Sequence, residues 1–195
     1  MTPDAFLETI LNPGLRFLAH LGGPPATNDA RRFLLAVAQQ ESGQDLNARF
    51  QGSPSSSPGP ARSWFQFEAG GGVVGVLTHP SSAALAKQVC AALHVIPETN
   101  AVWRAMEGHD HLAVAFSRLL VLTDPYPIPT EEQAAWTCYC DRLWRPGKPH
   151  PENWHSNFVT AQLTVMHRHI RLPRRQESAD GTILSEPMTT LDPEA

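Results

Sequence analysis

Apolar side chains recur at intervals of three and four residues along most of the chain, which is the spacing of amphipathic helices. The first stripe follows Thr2-Pro3-Asp4, which supplies an N-cap, a first-turn proline and a first-turn acid. We expect it to break at Asn12-Pro13-Gly14, to resume and to stop at Gly22-Gly23. A second helix starts at Asn28-Asp29, with Gly43 as its C′ residue. The later predicted helices cover residues 81–94, 98–107, 109–122, 130–144 and 152–170, with a short helix or turn at 73–77.

The pattern changes between the second helix and residue 72. Residues 43–60 are rich in glycine, serine and proline, and residues 63–67 alternate weakly, as a short strand or extended segment does. The sequence therefore predicts a mainly α fold with a small non-helical lobe near residues 43–72. We divide the chain into an N-terminal helical segment (1–27), one main domain (28–172) and an acidic, disordered tail (173–195).

The composition excludes two broad classes of protein. Hydrophobic residues make up 42% of the 195 positions and charged residues 17%, which is the wrong balance for a chain disordered throughout. The longest apolar run is Phe33 to Ala38, far short of the ~20 residues that cross a membrane. A chain of this length can bury a core without metals or disulfides, and we expect one helical domain with no membrane span.

The net charge of −4 arises from acidic residues at the end of the chain. Residues 1–175 carry 15 basic and 14 acidic side chains, whereas residues 176–195 carry five acids and no lysine or arginine. A nearly neutral body is a poor match to nucleic acid, so we expect no nucleic-acid partner. The basic residues near position 170 fit an exposed helix end or a polyanion site; they are Arg168, Arg171, Arg174 and Arg175.

The three cysteines, Cys90, Cys138 and Cys140, lack the spacing of a disulfide framework. Cys138 and Cys140 are also too close together for the usual zinc pair, and no second pair exists. The N-terminus has no basic segment followed by a long apolar one. We therefore expect synthesis in the cytoplasm without a signal peptide, thiols packed in the core, and neither a metal nor a cofactor.

One carboxyl group stands out. Glu41 continues the stripe of Phe33 and Val37 on the buried face of the second helix, and it lies in the last turn before Gly43. Burial and the negative end of the helix dipole both raise a carboxyl pKa, which would keep Glu41 protonated near neutral pH. That is the property of a general acid. The alternative is that the last turn simply reaches solvent.

Short motifs around Glu41 resemble those of the soluble lytic transglycosylases in the lysozyme-like superfamily. In that family a helix ends in Glu-Ser, and a later segment contributes a glutamine to the sugar cleft. Glu41-Ser42 matches the first motif, and Ser63-Trp64-Phe65-Gln66 stands in for the second, with Gln66 as the matched glutamine. The family's third motif would fall at Leu112–Arg118, where only its apolar part is present. Residues 64–72 and 144–154 look like phage and prophage proteins of this type, and the resemblance covers roughly residues 28–160.

This resemblance implies an α+β lysozyme-like fold and cleavage of the β-1,4 bond between N-acetylmuramic acid and N-acetylglucosamine, with Glu41 as general acid and base. Either a lytic transglycosylase or a lysozyme would fit. The implied partners are peptidoglycan glycan strands and other phage virion proteins. The protein would reach the cell wall as a virion component or, as an endolysin, through a holin.

We expect the sugar-binding residues to lie close to Glu41 in sequence. They are Ser42, Trp64, Phe65, Gln66 and Glu68. Aromatic faces pack on sugar rings, although each aromatic side chain could equally point into the core. Glu68 and Asp45 are also candidates for a second carboxylate, or are solvated loop residues. Trp136 and Tyr139 have helical spacing and are predicted to be core.

Two other functions compete with this one. The first is a virion structural or assembly protein that keeps the fold without catalysis, as the incomplete third motif and the acidic tail suggest. The second is a metal-dependent phosphohydrolase of the HD type, which would use His109-Asp110 and either Asp124 or Asp141. Asp110 also fits the N-cap of the helix that follows it, and we favour that role.

Overall fold

The computed structural model describes residues 1–44, 46 and 59–167. The described part of the chain is mostly helical, with 66% of its residues in helices and 3% in strands, as the sequence predicts. The α-helices are α1 (Pro3–Phe6), α2 (Asn12–His20), α3 (Asn28–Ser42), α4 (Val74–Thr78), α5 (Ala83–Ala92), α6 (Thr99–Ala105), α7 (Asp110–Leu122), α8 (Glu132–Thr137) and α9 (Pro151–His167). Three π-helical segments join them, namely π1 (Leu7–Leu11), π2 (Ala69–Val73) and π3 (Cys138–Leu143). The strands are β1 (Ala61–Arg62) and β2 (Phe67–Glu68). The predicted disordered tail, the basic cluster from Arg168 and most of the predicted loop, with Asp45, lie outside the described residues.

The predicted break at Asn12-Pro13-Gly14 is wrong, because π1 leads directly into α2. Pro13 lies in the first turn of α2, where its missing N–H costs little. Gly14 is explained by packing. A Cβ at this position would lie 2.5 Å from Cβ of Val114 in α7, so glycine lets the two helices approach closely.

A single core lies around α7, whose residues 112–121 are all buried. α2 packs along α7, and α3 packs along α9. The predicted N-terminal segment contributes to the same core, since Phe6, Leu11 and Leu15 have no exposed surface. Cys90 and Cys138 are buried in it as free thiols, as predicted, and Cys140 is partly buried. No helix among the described residues is long and apolar enough to cross a membrane.

The non-helical lobe contains a minimal antiparallel hairpin, in which Ala61 pairs with Glu68 and Arg62 with Phe67. Residues 63–66 form its turn, so the predicted extended segment at 63–67 is mostly wrong. The backbone turns because Ser63 and Gln66 adopt left-handed conformations, with φ of 69° and 48°. The lobe also ends earlier than predicted, because the glycine-rich residues after Glu68 belong to π2.

We expected Asp110 to be the N-cap of α7, and this prediction is wrong. His109 occupies that position without a side-chain cap, and Asp110 is the first helical residue. The Asp110 carboxylate instead accepts a hydrogen bond from Nε1 of Trp64 at 3.0 Å. This contact ties the start of α7 to the hairpin turn, which holds the lobe against the helical core.

Candidate functional site

A groove with a volume of about 810 Å³ is lined by the end of α3, the hairpin and the connector between π3 and α9. Glu41 lines it from the end of α3, and Gln66 and Glu68 line it from the hairpin. Trp144 and Lys148 line it from the connector. Polar side chains from three separate parts of the chain therefore converge on one open cleft, which is the usual arrangement of a ligand site.

Glu41 reaches the groove because of its place on α3. Phe33 and Val37, two turns and one turn earlier on the same face, are completely buried, whereas Glu41 lies where that face emerges from the core. Gly43 ends the helix immediately afterwards with φ of 83°, a conformation that glycine adopts without strain. The carboxyl group is thus partly buried and still open to the groove.

Burial raises the pKa of Glu41 from its usual value to about 7. The hydroxyl of Tyr139 donates a 2.7 Å hydrogen bond to Oε1 of Glu41 and opposes this shift, because it favours the ionised form. The negative charge of Glu68 adds to the rise. At neutral pH the protonated and ionised forms of Glu41 therefore coexist, and the group can both give and take a proton.

Tyr139 is held rigidly by aromatic neighbours. Its ring stacks on Trp154 with centroids 5.3 Å apart and planes 6° apart, and it is tilted against Trp144 at 6.1 Å. Burial and the charge of Glu41 raise the pKa of Tyr139 above its ordinary value, so the hydroxyl remains a donor. The spacing correctly predicted a buried tyrosine. A buried tyrosine hydroxyl needs a polar partner, and that requirement could have pointed to a polar group nearby, although not to Glu41.

Ser42 does not face the groove. Its side chain is buried, and its hydroxyl donates to the backbone carbonyl of Trp64. The structure therefore gives Ser42 a structural role, joining the end of α3 to the hairpin turn, in place of the expected contact with a sugar.

The prediction that Trp64 and Phe65 line the groove is also wrong. They are 6% and 0% exposed, and both rings pack edge-on against Phe6, at 5.6 and 6.3 Å. The left-handed residues at either end of the turn direct these side chains into the core. Burial of two large rings anchors the lobe and leaves them out of reach of a ligand.

Gln66 and Glu68 do line the groove, as expected. The amide of Gln66 donates a 2.8 Å hydrogen bond to the carbonyl of Ser63, which closes the turn across its base. Glu68 is exposed at the end of β2. These two are the predicted binding residues that the structure brings together with Glu41.

Trp144 is the groove aromatic that the sequence did not single out. Its indole Nε1 donates a 3.0 Å hydrogen bond to the carbonyl of Phe65, and its ring contacts Phe33 and Phe67 at centroid distances of 6.4 and 6.2 Å. The indole therefore links the connector to the hairpin at the groove. Its signals in the sequence were its place at the start of a proline-rich connector and the resemblance of residues 144–154 to phage and prophage proteins.

The residues proposed for a phosphohydrolase metal site are dispersed. Asp124 forms an ion pair with Arg142 at 2.8 Å, and Asp110 accepts from Trp64. Within the described part of the chain, no group of three or more histidine, cysteine, aspartate or glutamate side chains could hold a metal ion.

The chain matches no protein-family model, and no curated protein or solved structure matches it. The groove and its side chains are the observations that bear on function. The feature of that groove that most restricts the possible chemistry is a single carboxyl group with a pKa near neutrality.

Proposed function

We propose that this protein cleaves the β-1,4 bond between N-acetylmuramic acid and N-acetylglucosamine in peptidoglycan, with Glu41 as general acid and base. The observation that carries the proposal is the pKa of Glu41, raised to about 7 in an open groove. An ordinary glutamic acid is almost fully ionised at neutral pH and cannot protonate a leaving oxygen. Glu41 retains a substantial protonated fraction there.

The first step transfers the Glu41 proton to the glycosidic oxygen as the bond from that oxygen to the anomeric carbon breaks. The leaving sugar departs as a neutral alcohol, and positive charge develops on the remaining ring. The Tyr139 hydroxyl, 2.7 Å from Oε1, stabilises the carboxylate that forms at this moment. Tyr139 would thus lower the cost of losing the proton without carrying it.

The second step uses the same carboxylate as a base. Glu41 takes a proton either from the C6 hydroxyl of the muramic acid ring, giving a 1,6-anhydro sugar, or from water, giving a free reducing end. The acetamido group of the substrate supports the charged ring in the first case. Glu68, in the same groove, is the candidate carboxylate for that support in the second.

The rest of the groove suits a glycan. Its volume of about 810 Å³ falls within the ~300–1,000 Å³ of ordinary ligand sites. The aromatic surface of Trp144 can pack against the C–H face of a sugar ring, while Gln66 and Glu68 can meet its hydroxyls. The proposal includes an α+β lysozyme-like arrangement, in which the hairpin lobe and the helical core form the two sides of the cleft.

The setting we propose is a phage or prophage particle, or an endolysin, on the basis of the motifs around residues 64–72 and 144–154. A particle protein without catalytic activity is the competing function. It is favoured by one observation, namely that Leu112 to Arg118, the region of the incomplete third motif, are all buried in α7 and none of them lines the groove.

Digestion of purified murein sacculi distinguishes these functions. We expect the wild-type protein to release soluble muropeptides, Glu41→Gln to release none, and Glu98→Gln, at an exposed carboxyl away from the groove, to match the wild type. Anhydro ends would identify a transglycosylase, and reducing ends a lysozyme. Absence of release by the wild type at every pH from about 4 to about 8 would favour the non-catalytic particle protein.

A further inference from the structure

The connector between π3 and α9 carries three basic side chains that line the groove. They are Arg145, Lys148 and His150, which we call the basic rim. We propose that the basic rim binds carboxylate groups attached to the glycan, so that the protein recognises a carboxylate-bearing sugar polymer in preference to an uncharged one. This inference rests on the proposed function and names the substituent that the groove selects.

The groove contains side chains of both charges. Glu41 and Glu68 come from α3 and the hairpin, and the basic rim comes from the connector. An anionic substituent is repelled by the two carboxylates and attracted by the basic rim. An uncharged sugar chain gains nothing from these charges, whereas a chain that carries carboxylates is oriented by them.

The two permanent cations of the rim are available to a ligand. Arg145 and Lys148 are exposed, and no carboxylate in the described part of the chain lies within ion-pair distance of either. The one hydrogen bond of the Arg145 side chain runs from Nε to the carbonyl of Asp141, at 3.2 Å, and leaves the terminal nitrogens of the guanidinium unused among these residues. His150 instead contacts Glu152 at 3.0 Å, so we assign the main contribution to Arg145 and Lys148.

The rim is fixed at both ends. At its start, the backbone N–H groups of Trp144 and Arg145 both donate to the carbonyl of Tyr139. At its end, the amide of Gln40 donates a 2.9 Å hydrogen bond to the carbonyl of His150, while Gln40 itself accepts from Asn157 at 2.8 Å. The backbone of the rim is thus attached to the same residues that hold Glu41 and its helix.

Arg145 has a left-handed backbone, with φ of 49°. An arginine adopts this conformation at a cost, and the surrounding contacts must hold it there. This left-handed residue lies between Trp144 and Lys148, at the start of the basic rim.

Carboxylates reach a peptidoglycan strand from two sources. One is the lactyl group of muramic acid, which is free where the stem peptide has been removed. The other is the stem peptide itself, which carries its own carboxyl groups when it is present. Both present the same chemistry to a guanidinium and an ammonium, so the test has to vary the source.

The test measures binding in a Glu41→Gln background, where no turnover occurs, with and without Arg145→Gln and Lys148→Gln together. Each protein is titrated with peptide-bearing glycan strands, with amidase-stripped strands, and with both preparations after carbodiimide amidation has removed their carboxylates. Lys87→Gln with Arg104→Gln is the matched control, because both residues are exposed basic positions on helices away from the groove.

We expect amidation to weaken binding to the parent protein roughly fivefold, and the rim variant to bind native strands about as weakly as the parent binds amidated ones. The rim variant should then be insensitive to amidation, while the control pair behaves like the parent. A loss confined to peptide-bearing strands identifies stem carboxylates, and a loss on stripped strands identifies lactyl carboxylates.

Equal affinity of the parent for native and amidated strands would overturn the proposal, as would a rim variant that remains sensitive to amidation. If the wild-type enzyme still cleaves sacculi in that case, only the basic rim has failed. If it cleaves none, the proposed function has failed as well.

Discussion

The hydroxyl of Tyr139 lies 2.7 Å from Oε1 of Glu41, across 98 positions of sequence. The contact joins π3 to the last turn of α3 at the wall of the groove. Two effects on the pKa of Glu41 oppose each other at this contact. Burial favours the neutral carboxyl group and raises the pKa, whereas the hydrogen bond from the phenol favours the carboxylate and lowers it. The balance leaves the pKa of Glu41 at about 7.

Replacing Tyr139 with phenylalanine should raise the pKa of Glu41 further. The substitution removes the donor that favours the ionised form and retains the ring that stacks on Trp154. We expect the limb of the pH–activity profile that reports Glu41 to move up by about one unit. The measurement is the rate of muropeptide release against pH.

The matched control is Tyr126→Phe, at the other of the two tyrosines in the sequence. Tyr126 is 65% exposed and does not line the groove, so its profile should coincide with that of the wild type. A Tyr139→Phe profile unchanged from the wild type would show that the phenol does not act on Glu41.

Glu41→Gln should stabilise the protein at alkaline pH. The folded pKa of Glu41, about 7, is higher than the unfolded value of 4.5, so the folded state retains a proton that the unfolded state releases. The free energy of unfolding therefore falls as the pH rises from 4.5 to 7, and the loss is complete above 7, at up to about 3 kcal/mol. Glutamine keeps a neutral group in the same place and avoids this loss.

Urea unfolding of both proteins at pH 4 and pH 8.5 provides the measurement. We expect nearly equal free energies at the lower pH and a more stable variant at the higher one, with no activity at either. Glu98→Gln, at an exposed carboxyl, should show no such pH-dependent difference. The same advantage at both pH values would point to a packing effect and not to proton release.

Periodicity predicted the helices because a stripe of apolar residues can be buried on one face only, and α3, α7 and α9 each follow such a stripe. It also placed Glu41 on the buried face at a helix end. Trp64 and Phe65 could not be oriented in this way. The alternation in so short a segment does not fix the direction of a side chain, and the left-handed Ser63 and Gln66 turn both rings inward.

The other residues of the site could not be predicted, because they are far from Glu41 in the sequence. Tyr139 looks like any core tyrosine until α3 and π3 are brought together, and Trp144 looks like a connector residue until the hairpin lies beside it. Such contacts depend on tertiary packing and leave no local pattern. The basic rim could not be recognised for the same reason, because only the fold brings it into one groove with Glu41 and Glu68.

Glu68→Gln should lower the pKa of Glu41, because the negative charge of Glu68 contributes to its rise. We expect the Glu41 limb of the pH–activity profile to move to lower pH, opposite in direction to the shift from Tyr139→Phe. High salt should reduce the difference, since Glu68 is exposed and its charge is screened. Glu131→Gln, an exposed carboxyl outside the groove, is the control, and a shift of the same size there would rule out a local effect.

Trp144→Phe should impair both stability and activity. It removes the indole donor to the carbonyl of Phe65 and leaves that carbonyl without its partner, at a cost of about 1–2 kcal/mol. Trp103→Phe removes a comparable bond, from Nε1 to the carbonyl of Pro60 at 2.8 Å, at a residue that does not line the groove. Thermal unfolding should show a loss in both variants, while kcat/KM on sacculi should fall only for Trp144→Phe. Equal kcat/KM of the two variants would show that Trp144 does not contribute to substrate binding.

Two glycines offer a matched test of the groove wall. A Cβ at Gly72 would lie 2.7 Å from the ring of Phe67, which is buried and packs on Trp144. Gly72→Ala must therefore displace the ring of Phe67 and disturb its contact with Trp144, and we expect it to cost about 1–3 kcal/mol of stability and to lower activity. A Cβ at Gly75, in α4, would meet nothing within 4 Å, so Gly75→Ala should be neutral or stabilising by up to about 1 kcal/mol. Urea unfolding and sacculus digestion provide both readouts. Full activity of Gly72→Ala at normal stability would mean that the contact between Phe67 and Trp144 does not shape the groove.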